Sequence, residues 1–217
     1  MKNIILFDLD GTLTDPKVGI TKSVRYALRH FGIYADDLDE LCKFIGPPMR
    51  KSFKEFYGFD DEAANRATEK YRERFLEKGI YENVMYGGID VMLKNLKASD
   101  KTLFLATSKP TEQAERVLEH FGLAEYFSFV SGAELDGERS EKWEVIQYAL
   151  ERNDIRDRDA CIMVGDRKYD ITGAKSAGID SVGVLYGYGG LAELSDAGAD
   201  YIVKNVAELT ELLCNRL

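Results

Sequence analysis

Three short apolar runs, Ile4–Phe7, Leu103–Ala106 and Cys161–Val164, each break off directly into side chains that carry oxygen. Runs of this kind read as strands buried on both faces, which belong to parallel sheets covered by helices. Phe127–Val130, Ser181–Val184 and Tyr201–Val203 form a weaker set. Stripes with helical spacing lie between the runs, at Ile89–Leu96, Thr111–Phe121, Glu141–Leu150, Tyr169–Ala177 and Val206–Leu213. Strand alternating with helix predicts an α/β core around one parallel sheet.

The stretch from Val18 to Tyr81 breaks the alternation. It reads as helix after helix, Val18–Phe31, Leu38–Phe44, Met49–Tyr57 and Glu62–Glu77, with no strand-like run between them. We read residues 1–15 and 84–217 as the α/β core and residues 16–83 as an inserted helical cap. Asp15-Pro16 and Gly87-Gly88 mark the joints. His30 and His120 each stand before Phe-Gly at the end of a helical stripe, so both read as helix-end residues.

The composition narrows the partners. Of 217 residues, 29 are Lys or Arg and 38 are Asp or Glu, for a formal charge of −9. A basic face for nucleic acid polymer or an anionic membrane is not expected from that balance. No apolar stretch approaches the roughly 20 residues of a membrane span. Cys42, Cys161 and Cys214 have neither disulfide-framework nor zinc spacing, which fits reduced thiols and a cytoplasmic location. We expect a monomer or weak homodimer.

The ends of the three strong runs carry the chemistry. The first runs into Asp8-Leu9-Asp10-Gly11-Thr12. Two aspartates two residues apart, then glycine, suit a sharp turn that brings both carboxylates near one point. A hard divalent cation such as Mg²⁺ relieves that crowding; a cap for the next segment is the plainer alternative. The second ends in Thr107-Ser108-Lys109-Pro110 before a helix start, a phosphate-binding arrangement or a simple turn. The third ends in Gly165-Asp166-Arg167-Lys168-Tyr169-Asp170. Ligands sit off the carboxyl ends of strands in open parallel sheets, so three such endings on one edge favour a shared site. Lys142, opening the helix after the fourth run, supplies a counter-charge if it lies near that site. Trp143 reads as packing for the same helix. Tyr186–Gly190 is Gly-rich but lacks a dinucleotide-loop pattern and reads as a surface loop, with a loop bordering the mouth of the site as the alternative, and no P-loop motif is present.

In this order, Asp8–Thr12, Thr107, Lys142 and Gly165–Asp170 resemble the four motifs of the haloacid dehalogenase superfamily of phosphotransferases. The resemblance implies a Rossmann-like parallel sheet core with an inserted α-helical cap. "GITKSVRYALRHFGI" and "FIGPPMRKSF" are similar to the phosphoglycolate phosphatase branch, and within it to bacterial 5′-nucleotidases. The second aspartate, Asp10, sets the chain apart from dehalogenases. The resemblance implies Asp8 as nucleophile, forming an aspartyl-phosphate, and Asp10 as general acid and base. It implies Mg²⁺ on Asp8, the Asp10 backbone carbonyl and Asp166, with Asp170 behind them. Thr107, Ser108 and Lys142 would hold the phosphoryl oxygens. Lys43, Arg50 and Lys51 flank the rigid elbow Gly46-Pro47-Pro48 in the cap; Lys43, Gly46 and Arg50 are candidate substrate contacts, a solvated helix face being the plainer alternative.

The substrate expected is a small phosphorylated metabolite, first a nucleoside 5′-monophosphate, then phosphoglycolate or a sugar phosphate, with a phosphomutase as a further option. A phospho-accepting signalling module and a binding protein on the same fold are the non-enzymatic alternatives.

Overall fold

Ile4–Phe7 forms strand β1, and its Ile5, Leu6 and Phe7 have no exposed surface. In this computed structural model, residues 1–134, 139 and 141–217 are described. β4 (Thr102–Pro110) and β6 (Cys161–Gly165) lie on either side of β1, both parallel to it. Phe7 stands opposite Leu105 in β4 and Val164 in β6. β5 (Phe129–Ala133) continues the sheet beyond β4, and β7 (Asp180–Val184) and β8 (Tyr201–Val203) continue it beyond β6. The strand order is β5-β4-β1-β6-β7-β8. The chain therefore starts mid-sheet, winds outward one way, then crosses back and winds the other. The reversal falls at β1, which is where doubly wound folds bind ligands.

Helices cover the sheet. They are α4 (Ile89–Ala98), α5 (Thr111–His120), α6 (Lys142–Arg152), α7 (Lys168–Ser176), α8 (Leu191–Ala197) and α9 (Val206–Glu211). On one face Leu6, Phe104 and Met163 pack against Val145, Ile146 and Ala149 of α6 and Ala174 of α7. Full burial of each large apolar side chain contributes about 1.5–3 kcal/mol, which anchors α6 and α7 to the strands whose ends carry the polar groups.

The chain forms two compact units, residues 1–15 with 85–217, and residues 16–84. The second is helical, with α1 (Lys17–Arg29), a 3₁₀ segment at Asp39–Phe44, α2 (Met49–Tyr57) and α3 (Asp61–Glu77). Phe44 packs on Phe53, Phe56 and Tyr57 in its core. Glu82 accepts from Lys22 of α1 at 3.2 Å and from Arg74 of α3 at 3.1 Å, tying the unit's two long helices to its last segment. Two short strands, β2 (Thr14–Asp15) and β3 (Val84–Met85), pair where the chain crosses between units.

Several elements differ from the sequence expectation. β4 does not stop at Ala106 but runs to Pro110, with a register shift after Ala106. The residue before a proline is held extended, and Lys109 occupies that place. β5 lies at Phe129–Ala133, two to three residues later than the apolar run Phe127–Val130. Leu38–Phe44 is a 3₁₀ segment starting at Asp39, not an α-helix, and Ile45-Gly46-Pro47-Pro48 stops it before a longer helix can form. α8 was not expected, because only Leu194 of it is buried and no stripe repeats.

Candidate active site

Asp8 follows β1 without a break. Its main-chain N–H donates to the Val164 carbonyl at 2.9 Å, continuing the ladder, so it stands on the carboxyl edge of the sheet at the reversal point. Past Asp10 the chain turns at Gly11, with φ +89 and its N–H on the Thr14 carbonyl at 2.7 Å. A Cβ on residue 11 would fall on the Asp166 carboxylate. Glycine is required there both for the backbone angle and for the approach of that acid.

Lys142 is the first residue of α6, and a capping box between Glu141 and Glu144 fixes the start of that helix. Its buried ammonium donates to Asp8 Oδ1 at 2.7 Å and the Ala106 carbonyl at 3.1 Å, and pairs with Asp170 Oδ1 at 2.8 Å. A lysine has three N–H donors, and these three acceptors account for them. Asp170, in the first turn of α7, also accepts the Arg167 N–H on Oδ2 at 3.0 Å. Asp166 accepts the Tyr188 N–H on Oδ2 at 2.6 Å, while its Oδ1 is buried with no hydrogen-bond partner among the described residues.

One carboxylate oxygen from each of Asp8, Asp166 and Asp170 lies within 4.8 Å of the other two, and all three residues are buried. Burial raises the Asp166 carboxyl well above the usual range, and Asp170 and Asp8 push it further. Burial also pushes Asp170 up, to about 6, against the pull of Lys142. Burial works against the Lys142 ammonium, but Asp170 and Asp8 outweigh it and hold its proton more tightly than usual. One ammonium does not balance three carboxylates. The all-oxygen donors and the orphaned Asp166 oxygen fit a hard divalent cation.

Asp10 has a different partner. Its Oδ2 pairs with Lys109 Nζ at 2.6 Å, both side chains being largely buried, and its Oδ1 is buried without a hydrogen-bond partner among the described residues. Burial raises the Asp10 carboxyl above its ordinary value, with Lys109 opposing. The two neighbouring carboxylates are thus held by two different lysines. Thr107, two residues beyond the partner of Phe7 on β4, is buried, and its hydroxyl accepts the Lys109 N–H at 3.3 Å. Ser108 is half-buried beside it.

Lys142, Asp8, Asp166 and Asp170 come together. Asp170, placed behind the ligands by the resemblance, has an oxygen in the same acidic group. The Asp10 side chain is outside that group, turned to Lys109. Lys43, Gly46 and Arg50 lie in the helical unit, where the Lys43 ammonium sits over the rings of Phe56 and Tyr57 and Arg50 pairs with Asp61. Trp143 is 47% exposed, not a packing residue. Two contributors were missed from sequence. Lys109 stood in plain view after Thr107-Ser108, but only hydroxyls were read there. Tyr188 acts partly through its main chain, which side-chain chemistry does not signal.

Comparison with known proteins agrees with this geometry. The family model described as haloacid dehalogenase-like hydrolase matches residues 5–184. The chain belongs to that family. As a haloacid dehalogenase-like hydrolase it is 43% identical over 209 residues to a 5′-nucleotidase of Pseudomonas aeruginosa, covering 96% of this chain and 94% of that one. A crystal structure of a predicted phosphatase from Clostridium acetobutylicum superposes with a TM-score of 0.95 at 50% identity, covering 97% of both chains. The tyrosine-protein kinase PtkA of Mycobacterium tuberculosis is 37% identical, covering 96% of this chain and 70% of that protein. The family and these phosphatase relatives make this hydrolase a phosphomonoester hydrolase.

Proposed function

We propose that the chain is a Mg²⁺-dependent 5′-nucleotidase that works through a phosphorylated aspartate. The observation that carries the reading is the assignment of separate lysines to Asp8 and Asp10. Two carboxylates two residues apart in different environments can take different roles.

Asp8 is the nucleophile. Lys142 occupies its Oδ1, which leaves Oδ2 to attack phosphorus while the bond to the leaving oxygen breaks. Asp10 donates its proton to that oxygen, and burial favours the protonated form it needs. In the second half Asp10 takes a proton from water, the water oxygen attacks phosphorus, and the Asp8–phosphorus bond breaks. Thr107 and Ser108 bind phosphoryl oxygens, and Lys142 balances charge on Asp8 as it changes. Asp8, Asp166 and the Asp10 carbonyl would hold Mg²⁺, with Asp170 beside them. When bound, the cation would supply positive charge against the phosphoryl oxygens.

Similarity to the Pseudomonas aeruginosa 5′-nucleotidase along nearly the whole chain supports a nucleoside 5′-monophosphate as substrate. Phosphoglycolate and sugar phosphates are the next candidates. Substrate choice falls to residues 16–84, with Lys43, Gly46 and Arg50 as contacts. Three free cysteines support a reducing compartment, the cytoplasm; among the described residues no helix is long and apolar enough to cross a membrane. The test is phosphate release from a panel of nucleotides, phosphoglycolate and hexose phosphates, with transfer from ATP to a tyrosine peptide run beside it. Fastest release from a nucleoside monophosphate supports the reading. Preference for another ester, or transfer to the peptide without hydrolysis, contradicts it.

A further inference from the structure

The segment Tyr186–Gly190, by its sequence a surface loop or a loop bordering the site, contacts the acidic site directly. Tyr188 donates its main-chain N–H to Asp166 Oδ2 at 2.6 Å. Its phenol donates to Asp15 Oδ1, the last core residue before the chain departs for the helical unit. Two residues earlier, the Tyr186 phenol donates to the Thr12 carbonyl at 3.0 Å, and its ring meets Tyr86 edge-on, with centroids 5.0 Å apart. Tyr86 in turn donates its N–H to the Leu13 carbonyl at 3.1 Å. The loop is thus pinned at two points to the turn that carries Asp8 and Asp10.

The glycines show how close the fit is. A Cβ on Gly187 would fall on the Asp166 Cβ and the Gly11 carbonyl, and one on Gly189 on the Asp166 carbonyl. Both carbonyls belong to the backbone and have no other rotamer to adopt. The loop constrains Asp166: Oδ2 is held by the Tyr188 N–H, Oδ1 is buried with no hydrogen-bond partner among the described residues, and one of the two oxygens lies in the acidic group.

We propose that Tyr188 is a positioning residue for Asp166: anchored through its phenol to Asp15 and flanked by two glycines, it fixes the N–H that aims Asp166 at the cation. The inference rests on the reading of Asp166 as a Mg²⁺ ligand. Partners behind a ligand set its orientation and commonly account for about 10–100-fold in metal affinity.

The test measures Mg²⁺ binding to the metal-free protein by calorimetry, without substrate, beside the melting temperature in EDTA. In Tyr188→Phe the main-chain N–H stays but its anchor goes. The dissociation constant for Mg²⁺ is expected to rise by roughly 10-fold, at the low end for such partners, with the melting temperature in EDTA nearly unchanged. Asp15→Ala, which removes the acceptor of the phenol, is expected to weaken binding similarly, and the double variant to add little, because both break one link. Gly187→Ala pushes on Asp166 directly and is expected to weaken binding further. If Gly187→Ala does not fold, the Tyr188→Phe and Asp15→Ala cycle decides alone. Wild-type binding with unchanged affinity in Tyr188→Phe overturns the positioning role and leaves the phosphatase reading standing. No Mg²⁺ binding by the wild type overturns the metal reading itself.

Discussion

Lys109 decides how Asp10 behaves. Without it, Asp10 loses its 2.6 Å ion pair, and burial together with the neighbouring Asp8 charge pushes its carboxyl further up. Lys109→Met is therefore expected to lower kcat by about 100-fold, the low end of general acid–base contributions, with KM changed far less. Steady-state kinetics at saturating Mg²⁺ checks this, and an unchanged kcat would remove Asp10's partner from the mechanism. Lys142 matters differently, since it joins Asp8 and Asp170. Removing one partner from a buried ion pair costs about 3–5 kcal/mol, so Lys142→Met is expected to lower stability by that order in EDTA, read by urea unfolding. Asp8, Asp166 and Lys142 were legible as single residues because each sits where an apolar run or helical stripe begins or ends. Lys109 was not, because a lysine before proline has many ordinary uses.

At the scale of elements, β1, β6, β8 and α2 were legible because their apolar patterns end abruptly. β2 and β3 were not, since two-residue strands have no periodicity to read. In the helical unit, Glu82 forms a charged clamp that titrates. Burial pushes the Glu82 carboxyl up, but Arg74 and Lys22 outweigh it and hold it below its ordinary value. A depressed carboxyl stabilises the fold above its unfolded pKa of roughly 4.3 and loses that contribution as pH falls through the folded value. Glu82→Gln is expected to cost up to about 1 kcal/mol at neutral pH, as partly exposed pairs do. Thermal unfolding of both proteins should show that difference closing as pH falls from about 4.3. A difference that persists or grows in acid would mean the clamp is not ionic. Phe104→Ala, on the core face under α6, is expected to cost about 3–5 kcal/mol at any pH.

For the molecule as a whole, the parallel sheet and its helical insertion followed from alternation and its one interruption. What could not be read was which distant segments meet, because Tyr188 reaches Asp166 from 22 residues away and Asp15 from 173. Three clustered buried carboxylates, only two of them paired with Lys142 among the described residues, make the metal-free state electrostatically costly. Mg²⁺ is expected to raise the melting temperature of the wild type, while Asp166→Asn is expected to be at least as stable in EDTA and to gain little from Mg²⁺. Equal gains in both proteins would place the cation elsewhere. The central claim is that Asp8 carries the phosphoryl group, and rapid acid quench during turnover of a nucleoside monophosphate, followed by peptide mass spectrometry, tests it most directly. The account predicts a transient phosphoryl group on Asp8 in the wild type, and in Asp8→Asn neither that adduct nor released phosphate. Full phosphate release by Asp8→Asn, or a phosphoryl group found on another residue, would contradict it.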